Sequence, residues 1–156
     1  MPYEILEKKQ LSDQVFRMVV KAPRLARVRR AGQFVIVRPR ENSERIPLTM
    51  VGSTPEGGVI LIFQTVGYTT MELASLEEGG ALHDLTGPLG QPTRIPENAS
   101  VVCVGGGIGT APVLPIAEAL KNSGNRVVGI IGARTRGLLI LEDEMRACCH
   151  ELRVAT

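Results

Sequence analysis

The segment Gly105-Gly106-Gly107-Ile108-Gly109-Thr110-Ala111-Pro112 follows directly on the apolar run Ser100-Val101-Val102-Cys103-Val104 and precedes a stretch with helical spacing. Glycines at a strand-to-helix turn let a phosphate approach the main chain, where free amides and the helix dipole favour negative charge. The spacing is not the ordinary G-x-G-x-x-G. Pro112 stands where the third glycine would, and proline suits a first helical turn. A purely structural tight turn would also use glycines, so it is the position between strand and helix that points to phosphate. Further on, Gly132-Ala133-Arg134-Thr135-Arg136 ends a second apolar run, with no acid placed to accept a ribose 2'-hydroxyl. The arginines there either receive a 2'-phosphate, which favours NADP over NAD, or are solvated loop charges.

Other reactive side chains are few. His83 and His150 are the only histidines and read as structural. Cys103, Cys148 and Cys149 show neither a disulfide framework nor a C-x-x-C metal spacing, and read as reduced structural thiols. The adjacent pair near the end of a helix points in different directions and does not make half a metal site. No metal site is expected.

The elements that must hold these residues change character along the chain. Up to about Ile95 there are short apolar or alternating stretches at Tyr3-Leu6, Val15-Val20, Phe34-Val37, Leu48-Val51, Val59-Val66 and Ala81-Leu85, separated by glycine and proline turns. Six such strands predict an antiparallel Greek-key β-barrel over 1–96. Thr69 to Leu76 is the exception and predicts a short capped helix. After the turn residues 92–98 the pattern becomes β-α-β-α-β: a first strand covered on both faces, a helix over Ala111–Lys121, a strand over Arg126–Ile131, a helix over Leu138–Cys149 and a strand over Leu152–Ala155. That is one mononucleotide-binding half of a Rossmann-like sheet, assigned to 97–156, with the chain ending partway through the α/β domain.

Three segments in order, Arg45-Ile46-Pro47-Leu48-Thr49, Phe63-Gln64-Thr65-Val66-Gly67-Tyr68-Thr69-Thr70 and Gly87-Pro88-Leu89-Gly90, followed by the glycine turn, make the chain resemble the ferredoxin-NADP reductase superfamily. Within it the resemblance is to electron-transfer subunits of the dihydroorotate dehydrogenase type and to the alpha subunit of NADH-dependent ferredoxin-NADP oxidoreductase. It covers nearly the whole chain.

The resemblance implies a barrel that binds FAD and an α/β domain that binds NAD(P)H, with the nicotinamide stacked near the flavin. It implies that Pro47, Leu48 and Thr49 line the isoalloxazine, with Thr49 offering a hydroxyl or amide near N5, where hydrogen bonds tune flavin potential. Phe63 and Gln64 would flank the flavin or its ribityl chain, and Gly67, Thr69 and Thr70 would hold the diphosphate. Gly105, Gly106, Gly107, Gly109, Thr110 and Pro112, with Arg134 and Thr135, would take the nicotinamide dinucleotide. The superfamily pattern Arg-x-Tyr-Ser/Thr is displaced here: Ile46 stands three before Thr49 and Arg45 one earlier. In an extended segment Arg45 and Leu48 face opposite sides, so Arg45 meets phosphate from another direction or only solvent. Family members run on to a cysteine-rich tail holding a [2Fe-2S] cluster; three cysteines without that spacing supply no such ligand set.

A net charge of +2 excludes a field strong enough to argue for nucleic acid or an acidic membrane surface. The cluster Arg24 to Arg30 reads as a solvated loop face, with docking as the lesser option. No apolar run reaches the roughly 20 residues of a spanning helix, and Met1-Pro2-Tyr3-Glu4 has no secretory layout, so a cytoplasmic protein is expected. Its expected partners are a second oxidoreductase subunit or ferredoxin, with homodimerisation possible through an exposed third strand. The activity expected is electron passage between NAD(P)H and an iron-sulfur acceptor through FAD. The alternatives are a non-enzymatic flavin-binding or docking subunit lacking a complete nicotinamide site, and a scaffold without flavin.

Overall fold

The structure, a computed structural model, describes residues 3–156. It divides into a unit ending at Gln91 and a unit running from Pro92 to Thr156. The expected boundary at 96/97 falls five residues later, at the far end of the proline-flanked connector.

The first unit contains β1 (Tyr3–Ser12), β2 (Val15–Lys21), α1 (Pro23–Val28), β3 (Phe34–Arg38), β4 (Ile46–Ser53), β5 (Gly58–Gln64), α2 (Tyr68–Ala74), β6 (Ala81–Leu82) and β7 (Asp84–Leu89). The sheet order is β6-β1-β2-β5-β4-β3-β7, antiparallel throughout. Seven strands replace the expected six, because the Ala81-Leu85 stretch divides at His83. Ala81 and Leu82 pair with β1, whereas Asp84 onward pairs with β3. One residue thus carries the chain from one edge of the sheet to the other, and the sheet is nearly closed.

Alternation fills this barrel. Val35 and Val37 of β3 are fully buried while Phe34 and Ile36 face outward, and Met18, Val20, Met50, Val59, Leu61 and Phe63 join them inside. The arginine cluster is only partly a loop: Pro23 opens α1, whose Leu25 enters the core while Arg24 and Arg27 stay exposed, and Arg29 and Arg30 follow in the irregular segment before β3. Proline fits at the start of α1 because the first helical amides have no acceptor within the helix, so its missing N–H costs no intrahelical bond. Gly87 and Gly90 are required by close packing on β3. A Cβ at Gly87 would lie 2.7 Å from Val35 Cγ1, and one at Gly90, where φ is +77°, would lie 2.9 Å from the Phe34 ring.

Lys8 fixes α2 against β1. Its ammonium donates to the carbonyls of Ala74 and Leu76 at 2.9 and 3.0 Å and to Glu77 at 2.9 Å, satisfying the open C-terminal end of the helix.

The second unit contains β8 (Ser100–Gly106), α3 (Thr110–Asn122), β9 (Arg126–Gly132), α4 (Glu142–Cys148) and β10 (Glu151–Ala155), in a parallel sheet of order β10-β9-β8. Asn125, 2% exposed, locks the entry to this sheet: it accepts from the Ala99 amide at 2.9 Å and donates to Pro96 and Leu120 carbonyls at 2.7 and 2.9 Å. Two expectations are corrected. Among the described residues β8 is covered on one face only, since Val102 and Val104 are 58% and 65% exposed while Cys103 is buried; α3 and α4 both pack on the Cys103 side. The helix expected from Leu138 starts only at Glu142, because Ile140 and Leu141 are buried first and Leu141 takes a left-handed conformation (φ 60°). The helix then opens on Glu142, Asp143 and Glu144, where its dipole favours acids.

Lys8→Met should lower stability by about 1–3 kcal/mol, since part-buried carbonyls lose their donor. Urea unfolding measures this, and an unchanged midpoint would show that α2 is held by its packing alone.

Candidate functional site

The glycine turn divides into two kinds of glycine. Gly105 is structural, because a Cβ there would sit 2.8 Å from the Thr110 Cα and 3.0 Å from its hydroxyl. Gly106, Gly107 and Gly109 face open space, with nothing within 4 Å of a Cβ, and Gly107 has φ +53°. A 3-10 turn over Gly107–Gly109 leads into α3, with Pro112 in its first turn. Three open glycines ahead of a 13-residue helix leave room for a phosphate against main-chain amides. Thr110 is buried at 2% exposure, so its side chain packs under the turn rather than lining it. Arg134, Thr135 and Arg136 follow β9 and are exposed, and among the described residues neither arginine has an ion-pair partner.

In the barrel, Pro47 and Thr49 share the outer face of β4 with Ile36 and Phe34 of β3 in register. Thr49 is half-buried, and its hydroxyl has no hydrogen-bond partner among the described residues. Leu48 lies on the opposite side of the strand and packs against the core with Ile46. Arg45 is solvent-facing and approaches Asp84 at 3.7 Å. Phe63 is buried, its ring stacked on Phe16 with centroids 5.9 Å apart, so its side chain belongs to the core while Gln64 faces outward. At the start of α2 the Thr70 hydroxyl accepts from the amides of Val66 and Gly67 at 3.0 Å and donates to the Gly67 carbonyl at 2.9 Å. Thr69 is buried. The two threonines therefore shape this turn, whose Val66 and Gly67 amides are taken by the Thr70 hydroxyl, and the open side chain is that of Tyr68.

Sequence reasoning missed several contributors. Gln33 is buried, accepts from the Arg30 amide at 2.9 Å and donates to the Gly90 carbonyl at 3.0 Å, tying the turn before β3 to the turn after β7. Phe34 supplies the surface on which Gly90 rests. Val66, Tyr68 and Met71 are 77%, 78% and 55% exposed, a cluster invisible to a search for polar motifs.

The thiols are chemically quiet. Burial, reinforced by the neighbouring Cys149, pushes the Cys148 thiol up to about 12. Burial also raises Cys103 and Cys149 above the ordinary thiol value. A Cβ on Gly129 would come within 2.7 Å of Cys149 Sγ, so this sulfur lies directly on the sheet. All three are protonated at neutral pH and supply no nucleophile.

No protein-family model matches the chain. It is 42% identical over 152 residues to a dihydroorotate dehydrogenase B (NAD(+)) electron transfer subunit homolog of Thermotoga maritima, covering 97% of this chain and 54% of that protein. It is 31% identical over 158 residues to the dihydroorotate dehydrogenase B electron transfer subunit of Desulforamulus reducens, covering 98% and 60%. The structure of the NADH-dependent reduced ferredoxin-NADP oxidoreductase superposes with a TM-score of 0.94 at 38% identity, covering 99% of this chain and 56% of that one. The fold also matches phthalate dioxygenase reductase, with a TM-score of 0.79 at 15% identity. The chain spans about half the length of the curated relatives it matches.

Gly105→Ala should cost about 1–3 kcal/mol by forcing backbone apart, whereas Gly106→Ala, with no neighbour to meet, should stay within about 0.5 kcal/mol of the parent; denaturant titration separates the two, and equal losses would refute the division. A thiol reagent at pH 8 should titrate no cysteine in the folded protein and three in urea. Because burial raises these thiols above the ordinary 9.0, their stabilising contribution is complete below pH 9 and is lost as pH rises toward 12. Unfolding midpoints across that range check the sign.

Proposed function

This chain is a homologue of the dihydroorotate dehydrogenase B electron transfer subunits with a ferredoxin-NADP reductase-like fold, and from that premise we propose that it forms part of a flavoprotein oxidoreductase passing electrons between NAD(P)H and an iron-sulfur partner through FAD. The observation that carries this is the match of the whole chain, barrel and glycine turn together, to an oxidoreductase of that chemistry. The partner is a second oxidoreductase subunit or a ferredoxin, and the three free cysteines suit a reducing cytoplasmic compartment.

The residues present fit the cofactors. Thr49 holds an uncommitted hydroxyl on the outer face of β4, beside Pro47, and would offer it as a hydrogen-bonding group to a bound isoalloxazine. Gln64 faces outward at the end of β5. At the Gly67 turn the Val66 and Gly67 amides are taken by the Thr70 hydroxyl, so a diphosphate there would meet the amides that follow Gly67 rather than those of the turn itself. Gly106, Gly107 and Gly109 present main-chain amides to the nicotinamide dinucleotide, and the exposed Arg134 and Arg136 suit the additional phosphate of NADP. When bound, FAD supplies the conversion between two-electron and one-electron transfer. The protein contributes orientation and hydrogen bonding and needs no side-chain nucleophile.

A second reading rests on one feature of the sheet. The glycine turn leaves from β8, an edge strand among the described residues, whereas a dinucleotide in a doubly wound sheet lies in a crevice between strands on both sides of such a turn. On this reading the described residues bind flavin, and the nicotinamide step needs further strands, whether from the same protein or from a partner.

Reconstitution with FAD, desalting and absorbance measurement test both readings. Stoichiometric yellow protein with NAD(P)H-dependent dye reduction supports the enzyme; yellow protein without it supports the second reading. Protein that retains no flavin would overturn the proposal.

A further inference from the structure

We propose that the exposed face of α1, with Arg24, Arg27 and Val28, together with Arg30 and the concavity beside it, docks an acidic protein segment that brings an apolar side chain. None of the residues offered above to flavin or nucleotide belongs to this surface, so the inference stands apart from the FAD reading.

Charge is segregated along this chain to a degree that its net value of +2 hides. From Gln14 to Arg40 there is no acidic residue, and the stretch holds eight of the eighteen lysines and arginines. The rest of the chain carries ten basic and sixteen acidic side chains and is net negative. Such a distribution gives a local field that steers and orients an acidic partner before contact.

The fold does not neutralise this stretch evenly. Arg17, Lys21 and Arg40 are each ion-paired, to Glu7, Glu4 and Glu72. Arg24, Arg27 and Arg30 are exposed, and among the described residues no carboxylate lies within ion-pair distance of them. Arg24 and Arg27 stand three apart on α1, a spacing at which like charges disfavour a helix. Val28 lies among them at 52% exposure, on the helix that turns Leu25 into the core. Repelling cations around an open apolar side chain weaken the fold by themselves; a partner with carboxylates around an apolar residue relieves both.

The concavity offers a place for that residue. Its volume is about 690 Å³, with Tyr3, Pro23, Leu25 and Leu85 in its wall and the exposed Lys21 and Arg24 also lining it. Glu4 lines it too and engages Lys21 at 3.4 Å, which leaves Arg24 as the open cation. An apolar wall beside a free guanidinium is the pairing that protein interfaces use as an anchor. A phospholipid surface is a poorer match, because α1 has six residues and Val28 is the one large apolar side chain it exposes. A nucleic-acid duplex would engage the guanidiniums and leave the apolar wall idle.

The test titrates the full chain into a fluorescein-labelled peptide of about ten residues, glutamates around two central leucines, at low salt, following anisotropy. The peptide should bind, and serines in place of the leucines should weaken it by about three- to tenfold, as expected for partial burial of apolar side chains. Arg24→Glu with Arg27→Glu should weaken the leucine peptide by about tenfold or more. Arg134→Glu with Arg136→Glu, exposed arginines of the second unit, should leave it within about twofold. Val28→Ser should cost the leucine peptide about threefold and leave the serine peptide unchanged. All these positions are exposed, and circular dichroism checks that the variants fold. No binding at low salt, no preference for leucine over serine, or equal losses in the two double variants would overturn the docking surface. Tighter binding of duplex DNA or of phosphatidylglycerol vesicles, lost with the same α1 substitutions, would overturn the protein partner.

Discussion

The barrel depends on a single corner. β6 and β7 lie at opposite ends of the sheet order, yet only His83 separates them in sequence. An antiparallel sheet that stayed open would leave two rows of unpaired amides and carbonyls. Passing the chain from one edge to the other at one residue brings those edges together, and the His83 amide is itself satisfied by the Pro39 carbonyl at 3.1 Å. The outer face of β4, where Thr49 and Pro47 sit, is a stable platform only because the interior behind it, from Val35 to Phe63, is enclosed by that closure.

Around this barrel the irregular segments are held by polar contacts rather than by hydrophobic burial alone. Lys8 caps α2, Gln33 joins the turns flanking β3 and β7, and Glu72 clamps the β3–β4 loop. Each contact ties a segment carrying candidate ligand groups to a rigid strand or helix. Loops so tied can present main-chain amides in fixed directions, which is what phosphate binding requires. In the second unit Asn125 has the same office, joining the connector before β8 to the end of α3.

The parallel sheet shows a different balance. Its helices cover one face, where Cys103, Val127 and Ile131 are buried, while Val102 and Val104 face outward. Parallel sheets are ordinarily covered on both sides, so the continuous apolar run of β8 records a demand for burial that the two helices meet only in part. The same run made the first strand and the phosphate turn easy to recognise.

Much of the architecture was legible in residue order. Alternation marked the barrel strands, the glycines after Val104 marked the strand-to-helix turn, and the three ordered segments around Thr49, Gly67 and Gly87 carried the family resemblance. These signals are local: a period of two, a missing Cβ, or a short motif is written in consecutive residues. Other features waited for the tertiary structure, since they depend on what lies opposite a residue. Sequence could not tell that Phe63 faces the core and Gln64 faces out, that the Thr70 hydroxyl is spent on its own turn, that Gly105 packs while Gly106 lies open, or that Ala81-Leu85 is two strands. Facing, occupancy of a hydroxyl and space beside a Cα are properties of long-range packing. Composition and periodicity determined what kinds of element this chain forms; closure of the barrel decided which of their side chains remain available for chemistry.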